Sequence, residues 1–369
     1  MNFSINYPVP VIFGEETYLQ AAQKIKGNKV SKVLCIFDKG IKMAGIAEKI
    51  VSTLKAEGIK VIEFDGVMQD PSVEIIDAAG ELARQEKVEA IIGIGGGSSM
   101  DAAKAVNVLL GNPGSISQYF DHSIPQNPGK PLFLIPTTAG TGSEVTTVAV
   151  ISDTKAGKKR GVVGKNCTAT LAIVDPTLTL GLPPDITAST GMDTFAHAAE
   201  AFTSAMNNPM SDILAIEAIS LTARFLPVAV KEGLNIEARS KMSFASTLAG
   251  MAFSNAFPHL GHAIAHAIGA THHVPHGIAC GNVLPGVIEF ISEIMPEKVR
   301  VIGKAMGINF PENLSGKKLG FIVGDAVREL NKQIKLPALK QFNIQESDFP
   351  DIAREALTAA GASHCHREF

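Results

Sequence analysis

The chain has 369 residues, which at roughly 150 residues per domain predicts about two domains and excludes a small protein held by disulfides or metal staples. Its 33 basic and 36 acidic side chains give a net charge of −3 without a basic arm, so no nucleic-acid partner is expected. Apolar residues make up 46% of the chain and charged residues 19%, which predicts a globular and not a disordered protein.

The first half of the chain alternates strand and helix patterns. Short runs rich in Val, Ile and Leu predict buried strands, and runs with apolar residues three and four apart predict helices. The predicted strands are 32–37, 60–64, 89–94, 132–135, 146–151 and 171–174, and the predicted helices are 41–57, 72–86 and 102–110. This alternation predicts right-handed βαβ units and a mostly parallel, Rossmann-like sheet covered on both faces.

The pattern changes after Asp175. Residues 181–187 are rich in helix breakers and end in a capping pattern, and helical periodicity follows with almost no strand signal. We therefore place a domain boundary near Leu180, between an α/β domain over 1–180 and an all-helical domain over 181–369. Residues 242–288 contain no Asp, Glu, Lys or Arg but hold six of the ten histidines, so we interpret them as a buried helical layer and not as a membrane span.

Two loops of small residues follow predicted strands of the first half. Residues 95–101 read GGGSSMD and open a helix, where free backbone N–H groups and the helix dipole attract an anion such as a pyrophosphate. The spacing is not the GxGxxG of the Rossmann fingerprint, and a tight turn with Ser98 as N-cap and Asp101 in a capping box explains it equally well. Residues 136–144 read PTTAGTGSE, and two such loops at the carboxyl ends of parallel strands favour a dinucleotide crevice.

Asp38 ends the predicted strand KVLCIFD. A carboxylate at this position can accept hydrogen bonds from both hydroxyls of an adenosine ribose. It can equally well cap the helix that follows, and the local sequence does not decide between the two roles.

The second half carries a cluster of metal-ligating residue types. Asp193 and His197 are four residues apart, as are His262 and His266, so each pair shares one face of a helix, and His276 follows ten residues later. A single histidine on an apolar face is usually a satisfied core residue. An Asp and several imidazoles in an uncharged layer, however, are costly to bury unless they pair or hold a cation. These groups suit iron or zinc, although spacing alone does not choose the ligands among the histidines.

The cysteines give no separate metal signal. No two of them are close in the sequence or form a CxxC pair; they are Cys35, Cys167, Cys280 and Cys365. This spacing argues against a disulfide framework and against a zinc site built from cysteines, and it favours a reducing cytoplasm. The N-terminal residues show no basic segment followed by an apolar run, so no export signal is expected.

Five motifs along nearly the whole chain resemble those of the iron-containing alcohol dehydrogenase family. They are GGGS-x2-D-x2-K at 95–104, PTTAGTGSE at 136–144, DP at 175–176, GxDxxAHAxE at 191–200 and H-x3-H-x2-G-x5-PHG at 262–277. Each motif alone is weak, but five in the family's order and spacing make a specific match. The resemblance implies a dinucleotide-binding α/β domain followed by an all-helical catalytic domain, as in the dehydroquinate synthase-like superfamily.

The resemblance also implies three groups of site residues, position by position. The metal ligands, for Fe²⁺ or Zn²⁺, are Asp193, His197, His262 and His276, with His266 beside the metal as a proton relay. The residues that bind the cofactor NAD are Asp38, Gly95, Gly96, Gly97, Ser98, Asp101, Thr137, Thr138, Thr141 and Lys159. Phe253 lies where the family lines its substrate pocket.

The implied reaction is hydride transfer between NAD(H) and a short-chain alcohol, aldehyde or diol, with the metal polarising the substrate oxygen. The expected partners are this small-molecule substrate and further copies of the chain in a homodimer or larger homo-oligomer, with no membrane partner. Two features depart from the family pattern. Asp70, Pro71 and Ser72 stand where many members carry Asn-Pro-Thr, and the chain ends at Phe369, where the family usually continues through an Asn-Pro-Arg motif and a last helix.

Two alternatives stay open. Zinc glycerol dehydrogenases and dehydroquinate synthases share the scaffold, but they bind metal with different side chains, so the predicted ligand positions favour an alcohol dehydrogenase. A non-catalytic protein that senses metal or pH through its histidines explains the buried cluster but not the two small-residue loops.

Overall fold

The computed structural model of the protein describes residues 3–7, 9–120, 124–311 and 314–366. The chain packs as two units, each with its own hydrophobic core. The α/β unit contains Tyr7–Thr138 and Ser143–Thr179. The helical unit contains Met1–Asn6, Ala139–Gly142 and Leu180–Phe369, so a short segment from the middle of the α/β sequence packs in the helical unit.

The α/β unit alternates strands and helices along its first 110 residues or so and then becomes richer in strands. Its strands are β1 (Val11–Phe13), β2 (Lys32–Asp38), β3 (Lys60–Val67), β4 (Ala90–Gly95), β5 (Leu132–Pro136), β6 (Val148–Asp153), β7 (Lys158–Val163) and β8 (Leu171–Val174). Its helices are α1 (Ala21–Gly27), α2 (Lys39–Met43), α3 (Ile46–Ala56), α4 (Val73–Gln85) and α5 (Gly97–Gly111). Short 3₁₀ turns lie at Thr17–Gln20, Ile116–Tyr119, Ser143–Val145, Lys165–Cys167 and Pro176–Thr179.

Six strands form one parallel sheet in the order β1-β8-β5-β4-β2-β3. The central strands β4 and β5 are buried along their whole length, which explains their continuous apolar sequences. The predicted fold class, a mostly parallel sheet followed by a helical domain, is confirmed. β3 lies on one side of β2 and β4 on the other, so the strand order reverses between β2 and β4.

One predicted strand has an unexpected partner, and one predicted helix is wrong. The strand predicted at 146–151 is present as β6, but it pairs antiparallel with β7 in a separate two-stranded ribbon and not in the parallel sheet, with Asp153 opposite Lys158. Residues 41–57 were expected to form one helix, but α2 ends at Met43 and α3 begins at Ile46. Gly45 has a φ of 72°, and this left-handed conformation interrupts the helix.

The helical unit contains eight α-helices among its described residues. They are α6 (Pro184–Thr203), α7 (Pro209–Lys231), α8 (Ile236–Ala256), α9 (Leu260–His272), α10 (His276–Ile291), α11 (Pro296–Ala305), α12 (Gly316–Gln333) and α13 (Phe349–Thr358). Short 3₁₀ turns lie at Leu339–Phe342, Glu346–Asp348 and Ala360–His364.

Helix α6 is the most buried helix of this unit, and it packs against α7, α8 and α10, while α9 packs against α10. Residues 242–288, which contain no Asp, Glu, Lys or Arg, form most of α8, all of α9 and most of α10. Many of their side chains are buried, in agreement with the predicted helical layer. By length and a mean hydropathy of 1.8, α7 is apolar enough to cross a membrane. It packs along α6 and α8, as the core helix of a globular domain does.

Candidate metal centre and nucleotide-binding edge

Three helices of the helical unit supply a cluster of metal-ligating side chains. Asp193 and His197 lie one turn apart on α6, and this spacing puts them on the same face. His262 lies in the first turn of α9, and His276 is the first residue of α10. The four predicted ligands therefore come together from positions that span more than 80 residues of sequence.

Asp193 lies at the centre of this cluster. Its Oδ1 atom is 3.5 Å from His276 Nε2, 3.7 Å from His262 Nε2 and 3.8 Å from His197 Nδ1. Three buried atoms have no hydrogen-bond partner among the described residues, which is costly in a protein interior; they are Asp193 Oδ1, His262 Nε2 and His197 Nδ1. Ligand atoms about 2.0 to 2.2 Å from one tetrahedral divalent metal lie about 3.3 to 3.6 Å apart. The distance to His276 lies in this range and the other two exceed it by only about 0.1 to 0.2 Å, so the side chains present fit a metal ion after small shifts.

The charge states of the cluster also suit a cation. Burial raises the pKa of Asp193, but the neighbouring histidines His197, His276 and His262 outweigh burial and hold the pKa below its usual range. The carboxylate is thus ionised at neutral pH. Burial lowers the pKa of His197 to about 4, so this imidazole is neutral and keeps a nitrogen lone pair for a metal.

Glu200 fixes the orientation of His262. Its Oε1 accepts a hydrogen bond from His262 Nδ1 at 3.1 Å, and its Oε2 accepts one from the backbone N–H of His259 at 2.6 Å. Burial raises the pKa of Glu200, but the nearby His262 and His259 outweigh burial and lower the pKa to about 2. An ionised carboxylate only accepts, so His262 Nδ1 carries a proton, and Nε2, 3.7 Å from Asp193 Oδ1, is the nitrogen that can bind a metal. Glu200 lies in the GxDxxAHAxE motif, but the sequence did not reveal this role.

Two glycines allow the helices of the cluster to approach closely. A Cβ atom on Gly261 would lie 2.1 Å from Glu200 Oε1, so any other residue before His262 would displace the carboxylate that orients it. A Cβ atom on Gly277 would lie 2.0 Å from the backbone oxygen of Ser189. The glycine after His276 therefore lets the start of α10 lie directly against α6.

Two further predicted residues lie beside the cluster. The ring of His266 is stacked against His276 at a centroid distance of 5.0 Å. The ring of Phe253, on α8, is stacked on His197 at 4.3 Å. Their proposed roles as proton relay and pocket residue remain predictions. Cys280, which the sequence did not single out, has its Sγ 3.5 Å from His276 Nε2; its four-residue spacing from His276 was the available signal.

In the α/β unit, the predicted cofactor residues lie at the carboxyl ends of neighbouring strands. Asp38 ends β2, Gly95 ends β4, and Thr137 follows β5 and donates its backbone N–H to Gly95. Parallel sheets bind ligands at the point where the strand order reverses, which here lies between β2 and β4. Thr137 Oγ1 is buried there, and no described residue hydrogen-bonds to it. The edge therefore fits a bound dinucleotide.

The glycine-rich loop leaves the amino end of α5 open. The N-cap is Gly96, which provides no side-chain hydrogen bond, so the alternative in which Ser98 is the N-cap of a capping box is wrong. Asp101 instead accepts hydrogen bonds from Ser143 Oγ at 2.6 Å and from the backbone N–H of Val150 at 2.9 Å. An open helix terminus with a positive dipole end favours an anion.

The remaining predicted cofactor residues lie in several elements, and two of them, Asp38 and Lys159, have side-chain partners. Asp38 caps α2 by accepting a hydrogen bond from the backbone N–H of Ile41 at 3.0 Å, so the capping role is present whether or not Asp38 also binds a ribose. Lys159, on β7, pairs with Asp70 at 2.7 Å, and the backbone N–H of Asp70 donates to Ser98 Oγ. Gly97 is the first residue of α5, Thr138 borders Gly96, and Thr141 lies in the segment that packs in the helical unit.

Profiles of one protein family match nearly the entire chain. The profile of iron-containing alcohol dehydrogenase matches residues 8–176, and that of the C-terminal domain of the Fe-containing alcohol dehydrogenase family matches residues 187–369. The chain belongs to the iron-containing alcohol dehydrogenase family. The predicted family and the predicted enzyme class, an alcohol dehydrogenase, are thereby confirmed, and neither alternative gains support.

Relatives of this alcohol dehydrogenase match it from end to end. It is 35% identical over 358 residues to sulfoacetaldehyde reductase of Bilophila wadsworthia, covering 96% of this chain and 92% of the relative. It is 36% identical over 362 residues to 1,3-propanediol dehydrogenase of Citrobacter freundii, covering 97% and 93%. The crystal structure of sulfoacetaldehyde reductase from Bifidobacterium kashiwanohense in complex with NAD⁺ is similar with a TM-score of 0.91 and 31% identity, covering 100% and 95%.

Proposed function

We propose that this alcohol dehydrogenase transfers hydride between NAD(H) and a short, uncharged alcohol, diol or aldehyde. The observation that carries the proposal is the group of buried donor atoms around Asp193 Oδ1, which lack hydrogen-bond partners and have the spacing of metal ligands. When bound, Fe²⁺ or Zn²⁺ supplies a Lewis acid for the substrate oxygen, and NAD supplies the hydride acceptor.

The side chains of the helical unit have distinct roles in this proposal. Asp193, His197, His262 and His276 hold the metal. Glu200 keeps His262 in the tautomer that leaves Nε2 free to bind. His266, whose ring lies against His276, moves the proton of the substrate hydroxyl toward solvent.

The carboxyl ends of the strands of the parallel sheet bind NAD in this proposal. The open amino end of α5, with Gly95 to Ser98, binds the pyrophosphate. Asp38 accepts hydrogen bonds from the adenosine ribose, and Asp101, Thr137, Thr138, Thr141 and Lys159 complete the predicted set. The NAD⁺ complex of the similar sulfoacetaldehyde reductase supports this choice of cofactor.

The substrate is expected to be short and uncharged. The helices around the histidines contain no Lys or Arg between residues 242 and 288, so they offer no cation to a carboxylate or sulfonate group. Phe253 provides an apolar surface beside His197. One relative is named a 1,3-propanediol dehydrogenase and another a sulfoacetaldehyde reductase. Because residues 242–288 contain no Lys or Arg to bind a sulfonate group, we favour a diol over a sulfonated aldehyde as the substrate. A cytoplasmic homodimer or larger homo-oligomer completes the proposal; the structure joins none of the four cysteines in a disulfide, as a reducing compartment favours.

The test is a panel of short alcohols, diols and aldehydes assayed with NAD(H) after anaerobic loading with iron. We expect metal-dependent turnover in the wild type. The variant His276→Ala should lose both the metal and the activity, whereas His272→Ala, which changes a histidine of α9 that pairs with Asp348, should keep both. About one equivalent of metal retained by His276→Ala would contradict the ligand assignment.

A further inference from the structure

A cysteine lies within the candidate metal centre. Cys280 is on α10, one turn after His276, and this spacing puts both side chains on one face of the helix. Its Sγ is 3.5 Å from His276 Nε2, and the residue is only 1% exposed. Neither the five motifs nor the predicted ligand set gives this thiol a role.

The thiol completes a compact group of four donors. One ligand atom from each member lies within 4.8 Å of all the others; the members are Asp193, His262, His276 and Cys280. A nitrogen at about 2.0 to 2.1 Å and a sulfur at about 2.3 Å from one tetrahedral ion lie about 3.5 Å apart. This is the separation between His276 Nε2 and Cys280 Sγ.

An independent observation points to a ligand at this place. Asp193 Oδ1 and His262 Nε2 face each other across 3.7 Å, their side chains are 4% and 5% exposed, and neither atom has a hydrogen-bond partner. A buried free cysteine usually serves as a small apolar packing group. A cation shared by these donors would satisfy both polar atoms, and Cys280 Sγ lies near enough to bind the same cation.

We propose that Cys280 binds the metal of this site as a thiolate, together with Asp193, His262 and His276. The inference rests on the metal centre of the proposed function and adds a donor to it. As the metal–sulfur bond forms, the thiol proton leaves to solvent. A thiolate is a soft ligand, so Cys280 shifts the preference of the site toward zinc and cobalt and away from manganese and magnesium. With His197, whose Nδ1 is 3.8 Å from Asp193 Oδ1, the site then has five candidate donors.

The experiment is an anaerobic titration of the full-length, metal-free protein with Co²⁺. Wild type should develop near-ultraviolet thiolate-to-cobalt charge-transfer absorption together with the visible bands of bound cobalt. Cys280→Ser should lose the charge-transfer absorption and keep the visible bands. Cys365→Ser, which changes the other cysteine of the helical unit, is the matched control and should keep both. In competition with a chelator, Cys280→Ser should lose more affinity for Zn²⁺ than for Mn²⁺.

The outcomes separate this inference from the proposed function. Cobalt bound by wild type without charge-transfer absorption would overturn the assignment of Cys280 and leave the metal centre intact. Wild type that binds no cobalt would overturn both. Because the decisive absorption is measured on wild type, the test does not depend on the folding of any variant; circular dichroism of Cys280→Ser and Cys280→Ala checks that their comparison is valid.

Discussion

Single side chains of the helical unit determine how the donors of the metal centre are presented. Glu200 shows this most clearly, because its two oxygens accept hydrogen bonds from His262 Nδ1 and from the backbone N–H of His259. A carboxylate can only accept, so it selects one tautomer of the imidazole. The proposed metal ligand His262 and the residue that orients it, Glu200, are therefore coupled by a single proton.

Replacing Glu200 by Gln should weaken metal binding about 10- to 100-fold. An amide that accepts from His259 turns its NH₂ group toward His262 Nδ1, which then has to accept, so the proton moves to Nε2 and blocks the lone pair. Zn²⁺ competition with a chelator measures the loss. Glu217→Gln, an exposed change on α7, serves as the control. Unchanged zinc affinity in Glu200→Gln would show that the carboxylate serves only to cap the start of α9.

Asp38 should determine the choice between NAD and NADP. Its carboxylate would repel a 2′-phosphate, and the nearby Lys42 cannot readily compensate because it is paired with Asp65 at 2.6 Å. Asp38→Gly and Asp38→Asn should both raise the ratio of kcat/KM for NADP to that for NAD. Asn keeps the helix cap and removes the charge, so it separates the two roles of Asp38. An unchanged ratio in both variants, or a wild type that prefers NADP, would leave Asp38 as a helix cap only.

The sequence predicted those candidate site residues whose type and motif position carry the signal. Asp193 and the histidines could be predicted because they are metal-ligating residue types in largely apolar helices and match a family pattern. Cys280 could not, because its importance depends on the packing of α10 against α6, almost 90 residues earlier in the chain. The role of Glu200 likewise depends on how closely α9 approaches α6, which Gly261 permits.

At the scale of elements, a buried lysine joins α5 to the antiparallel ribbon. Lys104 is fully buried, and its Nζ donates hydrogen bonds at 2.8 Å to Ser143 Oγ, Thr146 Oγ1 and the backbone oxygen of Val148. Asp101 lies 3.8 Å away and balances its charge. The Asp and Lys of the GGGS-x2-D-x2-K motif of this chain thus have a structural role, because they hold the start of β6.

Replacing Lys104 by Met should lower the free energy of unfolding by about 3 to 5 kcal/mol, because it leaves the Asp101 carboxylate buried without its counter-charge. The chain has no Trp, so urea unfolding is best followed by circular dichroism. Lys165→Met, an exposed change in the same unit, should have little effect. A loss below about 1 kcal/mol in Lys104→Met would mean that the three hydrogen bonds contribute little net stability.

Most elements of the fold could be predicted from local patterns, and the errors have a physical cause. The strands of the parallel sheet are short apolar runs, and their burial on both faces is visible in the sequence. β6 has the same local character, but its partner is β7, whose sequence KKRGVV lacks an apolar signal, and no local rule identifies that pairing. The two-helix region around Gly45 has continuous helical periodicity, so the break depends on the backbone of one glycine.

For the whole molecule, metal binding should stabilise one unit and not the other. The donors all come from α6, α9 and α10, whereas the α/β unit has a separate core. A ligand that binds only the folded state adds RT ln(1 + [L]/Kd), or about 2.7 kcal/mol at a metal concentration 100 times Kd. Hydrogen exchange should therefore slow in α6, α9 and α10 on adding Zn²⁺, with β2 and β4 unchanged. His276→Ala should show no slowing, and equal slowing in both units would contradict the prediction.

The segment Ala139–Gly142 has a consequence for protein engineering. It packs against α6 and α8: Thr194 Oγ1 donates to the backbone oxygen of Gly140 at 3.2 Å, and a Cβ on Gly142 would lie 2.6 Å from the Cα of Gly250. A recombinant fragment that begins at Leu180 would thus lack four residues that pack within the helical unit. A chimera that takes its cofactor-binding half from a relative would also take the relative's residues at these four positions. Those residues would then have to pack against the helices of the present chain.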